Sequence, residues 1–532
     1  MRFADVAYVT ACAAWRSFKA AKAVAINTWR SERNAIANID LIRNSEFFDA
    51  EWYIKNNPDV EASGMDPALH YATHGHYGNR NPSPYFVNEE YYALHNDVRA
   101  SKMNPLLHFE KYGRREGRSI SLLGDGYHKI TYAEHQAEFP AKCAAISEKV
   151  KSGGRVKVVF FVSAASMFPA RPLFEVMLRD AAFDPYVCVI PDLRWRDGAF
   201  IRDMEACEVE LRTIIPEGRL IIVRPDEFGL WPDVLSDADI ACYPSPYELS
   251  SFRYNPRYSV GRGFLPICVN YGYYRSVYDR HVMGGQSYAY MWKAFFECED
   301  TLAEYRVHSA IGGTNGDLVG YIKMDRLADI NPASHLRKRI LIAPHHSVDG
   351  GTNKMLSLSN FARYADFFLR LPDRYPDIDF VFRPHPFLFK VLLDRGIWSP
   401  EKVAAYQSEL RAKANVIWSD GGDYFTEFAE SDGCIQDCGS YLVEYFYTGK
   451  PCCYMLKSPD DISRKFAPLG QKCLDNCYQA YDILDIDKFI TEVIVGGRDK
   501  KADSRQVFAK TAMLNYPHAA DVALQHIKEA LS

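Results

Sequence analysis

Short continuous apolar runs, each bounded by turn residues, recur through the middle of the chain. The run from Arg155 to Ser163 is rich in β-branched residues and follows Gly153 and Gly154, which is typical of a parallel strand buried on both faces. Helical stretches separate successive runs, so right-handed crossovers and a doubly wound sheet are expected. The strands predicted for residues 150–335 are Arg155–Ser163, Tyr186–Pro191, Arg219–Pro225, Ala238–Tyr243 and Leu265–Tyr271.

The same alternation begins again near residue 337. The pattern predicts an α/β protein with two Rossmann-like domains, 150–335 and 336–532, that face a cleft, and the last helix is expected to cross back onto the first domain. Ligands of such sheets bind beyond the carboxyl ends of the strands. The second set of predicted elements comprises strands Arg339–Pro344, Asp379–Pro386, Asn415–Trp418, Gly433–Asp437 and Lys450–Met455, and a helix from about Lys354 to Leu371.

Residues 1–40 predict one amphipathic helix. Its apolar positions, among them Trp15 and Trp29, recur at steps of three and four, and basic residues such as Arg16 and Lys19 lie along one flank. Tryptophan beside cations is typical of a helix lying on an anionic membrane surface. The alternative is a helix that docks on the protein's own core with a solvated basic edge. A membrane contact through residues 1–35 therefore stays open.

Residues 41–125 contain a segment that occurs twice. Phe47 to Tyr53 corresponds to Phe86 to Tyr92, and the period is about 38 residues. Each repeat is predicted to form two short helices broken by proline and glycine. His70 and His108 occupy equivalent positions, which favours repeated packing histidines over a ligand role. The segment resembles short repeats that are appended to bacterial polysaccharide glycosyltransferases.

Composition and charge exclude several classes of protein. The net charge of −5 gives no basic footprint for nucleic acid, and no apolar run is long enough for a membrane span. The 13 cysteines lack zinc-site spacing, and buried reduced thiols fit a cytoplasmic protein, with the inner face of the membrane as an alternative location. Neither a dinucleotide fingerprint nor a phosphate loop is present. No cofactor and no metal are predicted, because no D-x-D loop stands out.

Polar residues at the predicted strand ends of the second domain are the main candidates for chemistry. Arg383 and His385 follow an apolar strand, and a guanidinium fork suits phosphate oxygens. The imidazole of His385 is a further hydrogen-bond donor or a catalytic proton carrier. Asp437 ends another strand, and Gly439 permits a tight turn before a helix whose start is expected near Ser440. A helix N-terminus with a serine hydroxyl favours anions. Glu444, one turn further, is a candidate for holding a ribose hydroxyl.

Two further groups complete the predicted cleft. His345 and His346 close the first strand of the second domain, and adjacent side chains of an extended segment point to opposite sides; either is a candidate for the catalytic base. The end of the fifth strand in the first domain carries the candidate acceptor-binding residues. These are Tyr271, Tyr273, Tyr274 and Arg275.

Two motifs carry a resemblance to a known family. R-P-H-P at Arg383 to Pro386 and D-C-G-S at Asp437 to Ser440 resemble the R-P-H loop and D-Y-S-S turn of the CDP-glycerol glycerophosphotransferase (teichoic-acid polymerase-like) family. The resemblance implies a GT-B fold over residues 155–500 and donor pyrophosphate binding by Arg383, His385 and Ser440. The family's W-H-G, whose histidine is thought to act as base, reads N-Y-G at Asn270 to Gly272. Tyrosine is a poor base at neutral pH.

The resulting hypothesis is a metal-independent transferase that uses a nucleotide-activated, CDP-linked donor and a hydroxyl of a growing cell-surface polysaccharide or lipid-linked acceptor. One alternative is a nucleotide-sugar glycosyltransferase of capsule or lipopolysaccharide synthesis. Another is a catalytically inactive scaffold for polysaccharide enzymes, which Tyr271 favours. Alanine at Arg383 or His385 is expected to lower turnover strongly and to leave the fold intact.

Overall fold

The computed structural model describes residues 36–76, 80–83, 85–120, 131–192, 199–225, 231–247, 250–348 and 357–532. The predicted membrane-contacting helix lies outside these residues, apart from positions 36–40. Within the described ranges, every helix is too short or too polar to cross a bilayer.

The first domain is built on a parallel sheet of seven strands in the order β3-β2-β1-β4-β5-β6-β7. Each strand of this order runs parallel to its neighbours, as the predicted crossovers require. The chain direction across the sheet reverses between β1 and β4, which defines the switch point of a doubly wound fold. The strands are β1 Val156–Val162, β2 Phe183–Val189, β3 Leu220–Ile222, β4 Ile240–Tyr243, β5 Leu265–Val269, β6 Lys293–Phe296 and β7 Gly316–Leu318.

The second domain repeats this topology with six parallel strands in the order β10-β9-β8-β11-β12-β13. Its switch point lies between β8 and β11, which pair over four residues. Two Rossmann-like domains in series are thereby confirmed. The strands are β8 Lys338–Ala343, β9 Ile378–Phe382, β10 Val416–Trp418, β11 Gly433–Gln436, β12 Cys452–Met455 and β13 Tyr478–Ala480.

Three strands were not predicted. β7 and β13 are three residues long and carry polar or small residues (Gly-Asp-Leu and Tyr-Gln-Ala), so they lack the apolar run on which the prediction depends. β6 is four residues long and begins with Lys293. β6 and β7 follow β5 at one side of the first sheet, and β13 follows β12 at the edge of the second. There, pairing with the preceding strand decides the structure.

The α-helices of residues 36–120 enclose an apolar core of their own, and those of residues 131–532 belong to the two sheet domains. They are α1 Ile39–Arg43, α2 Ala50–Asn56, α3 Pro58–Ser63, α4 Pro67–His70, α5 Asn88–Leu94, α6 Asn96–Ser101, α7 Pro105–His108, α8 Tyr132–Lys151, α9 Arg171–Arg179, α10 Ala199–Leu211, α11 Asp279–Met283, α12 Gln286–Ala289, α13 Glu299–His308, α14 Phe361–Arg374, α15 Leu388–Asp394, α16 Pro400–Arg411, α17 Phe425–Glu430, α18 Tyr441–Glu444, α19 Asp460–Lys465, α20 Pro468–Asn476, α21 Ile483–Lys488, α22 Ala502–Ala512 and α23 Ala519–Leu531.

Each N-terminal repeat has three short α-helices and a short π-helix, not the two helices predicted. The first repeat comprises α2, α3 and α4 with the π-helix Tyr71–Gly75, and the second comprises α5, α6 and α7 with the π-helix Phe109–Gly113. The difference arises because Pro67 and Pro105 begin a separate helix, with Asp66 and Asn104 as capping residues. Proline fits the first turn of a helix, where its missing N–H has no partner to lose.

The two repeats use one packing device. Tyr53 and His70 form a buried hydrogen bond of 2.9 Å between hydroxyl and Nδ1, and Tyr91 and His108 form the same bond at 2.9 Å. The tyrosine hydroxyl also lies against a glycine: a Cβ on Gly75 would come within 2.1 Å of the hydroxyl oxygen of Tyr53. Burial lowers the pKa of His108, so this ring stays neutral. The equivalent histidines pack inside the repeats, as predicted.

A shared core and the last helix join the two domains. One apolar cluster combines Tyr273, Tyr321 and Met324 of the first domain with Leu442 and Tyr447 of the second. The hydroxyls of Tyr273 and Tyr447 lie 2.6 Å apart. Helix α23 packs into the core of the first domain through its alanine, leucine and isoleucine side chains. The chain therefore crosses back at its end, as expected.

Candidate functional site

A cavity of about 380 Å³ lies between the two domains. Its walls are the loops that follow β5, β8, β9 and β11, and β8 and β11 flank the switch point of the second sheet. This is the location where doubly wound sheets bind ligands. The candidate residues of all four loops therefore meet in one cleft.

Three histidines form an imidazole cluster on the second domain's side of the cleft: His345 and His346 after β8, and His385 after β9. The ring centroids of His346 and His385 lie 4.1 Å apart, those of His345 and His346 4.2 Å apart, and those of His345 and His385 5.1 Å apart. Burial lowers the pKa of His346 to about 4 and that of His385 to about 3, and it lowers the pKa of His345 well below its usual range. All three rings are therefore neutral and present lone pairs near pH 7.

Arg383 lies at the edge of the cleft, but most of its donors already have partners. Its guanidinium is 7% exposed and bonds the Glu427 carboxylate at 2.7 Å, the Ser419 hydroxyl at 2.7 Å and two glycine carbonyls of the loop 421–422. A fork that holds so many acceptors fixes that loop against β9. Arg383 therefore shapes the cleft wall as well as facing it.

Asp437 lies beneath the cleft wall and not on its surface. Its side chain is fully buried, and its two carboxylate oxygens accept the backbone N–H groups of His345 and Asn360, each at 2.6 Å. Burial raises the pKa of Asp437 to about 7. The predicted role of Asp437 in direct donor contact does not agree with this position, because the backbone of His345 and of Asn360, the residue before α14, encloses the carboxylate. Asp437 holds the backbone that carries the imidazole cluster.

The turn at Gly439 and Ser440 packs tightly against the loop of the first domain that follows β5. A Cβ on Gly439 would come within 1.8 Å of Nη2 of Arg275, and a Cβ on Gly272 within 2.7 Å of the Ser440 hydroxyl. Ser440 has helical backbone angles and makes no side-chain cap bond, and α18 is only four residues long. The expected helix cap is thus replaced by a serine hydroxyl that faces the cleft.

Glu444 and Lys323 form a polar surface at the bottom of the cleft, and only Glu444 was predicted from the sequence. Glu444 is fully buried and accepts hydrogen bonds from Tyr321 at 2.9 Å and Tyr424 at 2.7 Å, and Nζ of Lys323 lies 3.5 Å from it. Lys323 also donates to the carbonyl of Tyr271 at 3.0 Å. Lys323 follows β7 near the end of the first domain, in the 3-10 helix Ile322–Asp329. Because β7 carries no apolar run, nothing in the sequence marked this lysine.

The tyrosines of the opposite wall divide into two kinds. Tyr271 is half-buried on the cleft, with its ring 6.3 Å from that of Tyr247. Tyr273 and Tyr274 border the cleft but are buried, and their hydroxyls bond other protein groups: Tyr273 bonds Tyr447, and Tyr274 bonds Asn270 at 3.2 Å. Of the predicted acceptor-binding tyrosines, Tyr271 has the most accessible position.

The three described cations at the cleft are each paired with a carboxylate. Arg275 pairs with Asp279 at 3.0 Å, Lys323 with Glu444 at 3.5 Å and Arg383 with Glu427 at 2.7 Å. Because the imidazole cluster is neutral, these pairs leave little uncompensated positive charge. A polyanion in the cleft would therefore be bound more by hydrogen-bond donors than by net positive charge.

Glu297, directly after β6, gives a stability prediction. Its side chain is 1% exposed and neither oxygen has a well-formed hydrogen bond in the described structure, and burial raises its pKa from the usual 4.5 to about 7. The folded chain therefore keeps a proton that the unfolded chain loses above pH 4.5, and stability falls as pH rises towards 7. Glu297→Gln is expected to raise the free energy of unfolding by about 2–3 kcal/mol at pH 8.

Urea unfolding at pH 8 and pH 5 measures this difference, which should shrink strongly at pH 5. Glu299→Gln, an exposed residue two positions along, is the matched control and is expected to show no comparable pH-dependent gain. Equal gains at both pH values would contradict a buried titrating carboxyl at position 297.

The two facing Rossmann-like domains and their interdomain site define a GT-B type architecture. No protein-family model matches the chain, and no curated protein is similar to it in sequence. Similar solved structures include a variant of the wall teichoic acid polymerase TagF, at 12% identity over 80% of this chain and 98% of that one, with a TM-score of 0.47. The UDP-GlcNAc 2-epimerase from Neisseria meningitidis bound to UDP-GlcNAc is similar at 13% identity, over 70% of this chain and 100% of that one, with a TM-score of 0.44. A putative UDP-N-acetylglucosamine 2-epimerase from Listeria monocytogenes is 10% identical over 71% of this chain and 96% of that one, with a TM-score of 0.47.

Proposed function

We propose that this protein is a transferase that moves a polyol-phosphate or glycosyl group from a nucleotide-activated donor to a hydroxyl of a cell-surface polymer or lipid-linked acceptor. One observation carries the proposal: Arg383, His385, Ser440 and the N-Y-G loop, chosen from the sequence as separate strand ends, line one interdomain cavity. A CDP-linked donor is proposed because R-P-H-P and D-C-G-S resemble the family motifs.

The donor's pyrophosphate is assigned to the second domain's side of the cleft. The Ser440 hydroxyl and the N–H groups of neutral imidazoles offer hydrogen bonds to phosphate oxygens, and Lys323 adds a cation across the cleft. These donors act in a partly desolvated site, where hydrogen bonds to developing negative charge are strongest. They would stabilise the nucleotide as it leaves.

The acceptor is assigned to the first domain's wall, beside Tyr271 and Tyr247. Its hydroxyl oxygen would attack either the distal phosphorus of the donor, which releases a nucleoside monophosphate, or an anomeric carbon, which releases a nucleoside diphosphate. His345 or His346 would accept the hydroxyl proton. Nδ1 of His346 has no hydrogen-bond partner among the described groups, whereas Nδ1 of His345 already accepts the backbone N–H of Ser347 at 3.3 Å. Their low pKa values make them weak bases, so departure of the nucleotide must drive the step.

Nucleotide product analysis tests the proposal. The chain is incubated with CDP-glycerol or with a UDP-sugar, each with a hydroxyl-bearing polymer, and released nucleotides are separated by chromatography. CMP release supports polyol-phosphate transfer, and UDP release supports sugar transfer. Release should disappear in His385→Ala and persist in His518→Ala, whose histidine is an exposed residue of the C-terminal segment. Absence of release from every donor tested, together with absence of nucleotide binding, would contradict the proposal and favour a scaffold.

A further inference from the structure

The imidazole cluster has the composition of a transition-metal site. Each of His345, His346 and His385 offers one ring nitrogen, and the three nitrogens all lie within 4.8 Å of one another. This is the single group of three or more such ligands among the residues described. We propose that these three histidines bind one divalent transition-metal ion of the zinc class, in a site that opens onto the interdomain cleft.

The ligand chemistry fits such an ion. Neutral imidazole nitrogen is a preferred ligand of Zn²⁺, Co²⁺ and Ni²⁺ and a poor one for Mg²⁺ or Ca²⁺. Three histidines with one open position form the ligand set of a catalytic zinc site. Zn–N bonds of about 2.1 Å at tetrahedral angles place ligand nitrogens about 3.4 Å apart, so small side-chain rotations would bring the 4.8 Å group into coordination.

The ring environments show which atoms are available. Nδ1 of His345 lies 2.7 Å from the Ser347 hydroxyl, and Nδ1 of His385 accepts the backbone N–H of Phe387 at 3.1 Å. These contacts fix both rings and leave their Nε2 atoms for an ion. Nδ1 of His345 also accepts the backbone N–H of Ser347 at 3.3 Å. Coordination through Nε2 of either ring therefore moves its proton to Nδ1 and opens the contact with the N–H of Ser347 or Phe387. Nδ1 of His346 is buried without a hydrogen-bond partner among the described groups.

The backbone beneath the cluster is built to hold it. His345 and His346 follow β8 directly, and the buried Asp437 fixes the N–H of His345 at 2.6 Å. The N–H of His385 bonds the carbonyl of Pro344 at 3.0 Å, which ties the loop after β9 to the loop after β8. The three rings therefore come from two loops that are bound to each other, and a ligand set needs such support to keep its geometry.

An ion at this position would change the charge of the cleft. The described cations there are each paired with a carboxylate, so a divalent ion on neutral ligands would supply uncompensated positive charge. If the proposed transferase function holds, that charge lies where the donor's pyrophosphate is assigned, and the ring nitrogens that bind the ion no longer accept the proton of the acceptor hydroxyl. The metal site itself stands on the three histidines and does not depend on the nature of the substrate.

The test uses the untagged, full-length chain after treatment with a chelator. Zn²⁺ alone is titrated by calorimetry, and Co²⁺ is added in a parallel sample as a spectroscopic probe. We expect saturable binding of one ion per chain and visible Co²⁺ absorption bands of a four-coordinate, nitrogen-rich site. Binding and bands should both be lost in His346→Ala/His385→Ala and retained in His518→Ala, with the fold of each variant checked by circular dichroism.

Two results would overturn the metal site: no saturable binding to the native chain, or equal binding and equal Co²⁺ bands in the double variant. The native chain's Co²⁺ spectrum keeps the proposal falsifiable if the double variant does not fold, because octahedral, oxygen-type bands would exclude the cluster. Nucleotide binding by the metal-free chain is measured separately. If the metal does not bind but nucleotide binding is intact, the metal site is wrong and the transferase proposal stands. If the metal binds at the cluster but nucleotide does not bind, the metal site stands and the transferase proposal is contradicted.

Discussion

Replacing Arg383 with alanine is expected to destabilise the chain by about 3 kcal/mol and to lower turnover by a factor on the order of 10². The change removes the partner of Glu427 and leaves the Ser419 hydroxyl and the carbonyls of Gly421 and Gly422 without the guanidinium. An unpaired carboxylate in a mostly buried position is costly. Urea unfolding and steady-state kinetics measure the two effects.

His385→Ala is the matched comparison because His385 is half-buried and its one described side-chain hydrogen bond is the amide of Phe387. The sequence predicted the same outcome for the two substitutions, and the structure predicts different ones. His385→Ala should lower turnover and leave the fold intact, whereas Arg383→Ala should lower both turnover and stability. Arg383→Lys keeps the charge without the planar fork and should recover only part of the stability. Native stability in Arg383→Ala would show that the guanidinium does not hold the loop 421–422.

Replacing Gly439 with alanine is expected to displace Arg275 and disturb the packing of the two domains at this turn. The new Cβ would lie 1.8 Å from Nη2 and 2.6 Å from Cζ of Arg275. The guanidinium cannot yield freely, because Asp279 binds it at 3.0 Å and the side chain is only 14% exposed. Overpacking of this kind costs about 1–3 kcal/mol, and turnover should fall at least about tenfold, since a shift of about 1 Å in a site can cost more.

The control for Gly439→Ala is Gly263→Ala, where an added Cβ meets no atom within 4 Å; its stability should stay within about 0.5 kcal/mol of the native chain. Gly439→Ala/Arg275→Ala removes the guanidinium that the new Cβ would meet. Its loss of stability should be smaller than the sum of the two single losses, which a double-mutant cycle measures. Additive losses would show that residues 275 and 439 are not in conflict.

The sequence predicted the parts of the fold that follow from continuous apolar runs. β1, β8, β9 and β11 are such runs, and their alternation with helices sufficed for two parallel sheets. β7 (Gly-Asp-Leu) and β13 (Tyr-Gln-Ala) lack an apolar run, unlike the equally short β3 and β10. Their pairing is decided by neighbouring strands and leaves no local pattern. The extra helix in each repeat depends on a proline at a capped helix start, which the repeat pattern alone did not separate from a turn.

The candidate site was predictable as a set of strand ends but not as a set of contacts. Because parallel strands end at one edge, Arg383, His385 and His345 were expected near one another. The partner of Arg383, Glu427, lies 44 positions further along the chain. Lys323 reaches the cleft from the 3-10 helix Ile322–Asp329, near the end of the first domain. Such contacts depend on how the loops fold over the sheet, and neither Glu427 nor Lys323 belongs to a motif.

Hydrogen–deuterium exchange with and without saturating CDP or UDP tests most directly whether the interdomain cleft binds a nucleotide. We expect slower exchange in the loops after β5, β8, β9 and β11, at residues 270–275, 344–348, 383–387 and 437–441, and unchanged exchange in the N-terminal repeats. Unchanged exchange in all four loops at saturating nucleotide, or protection confined to the repeats, would contradict this expectation.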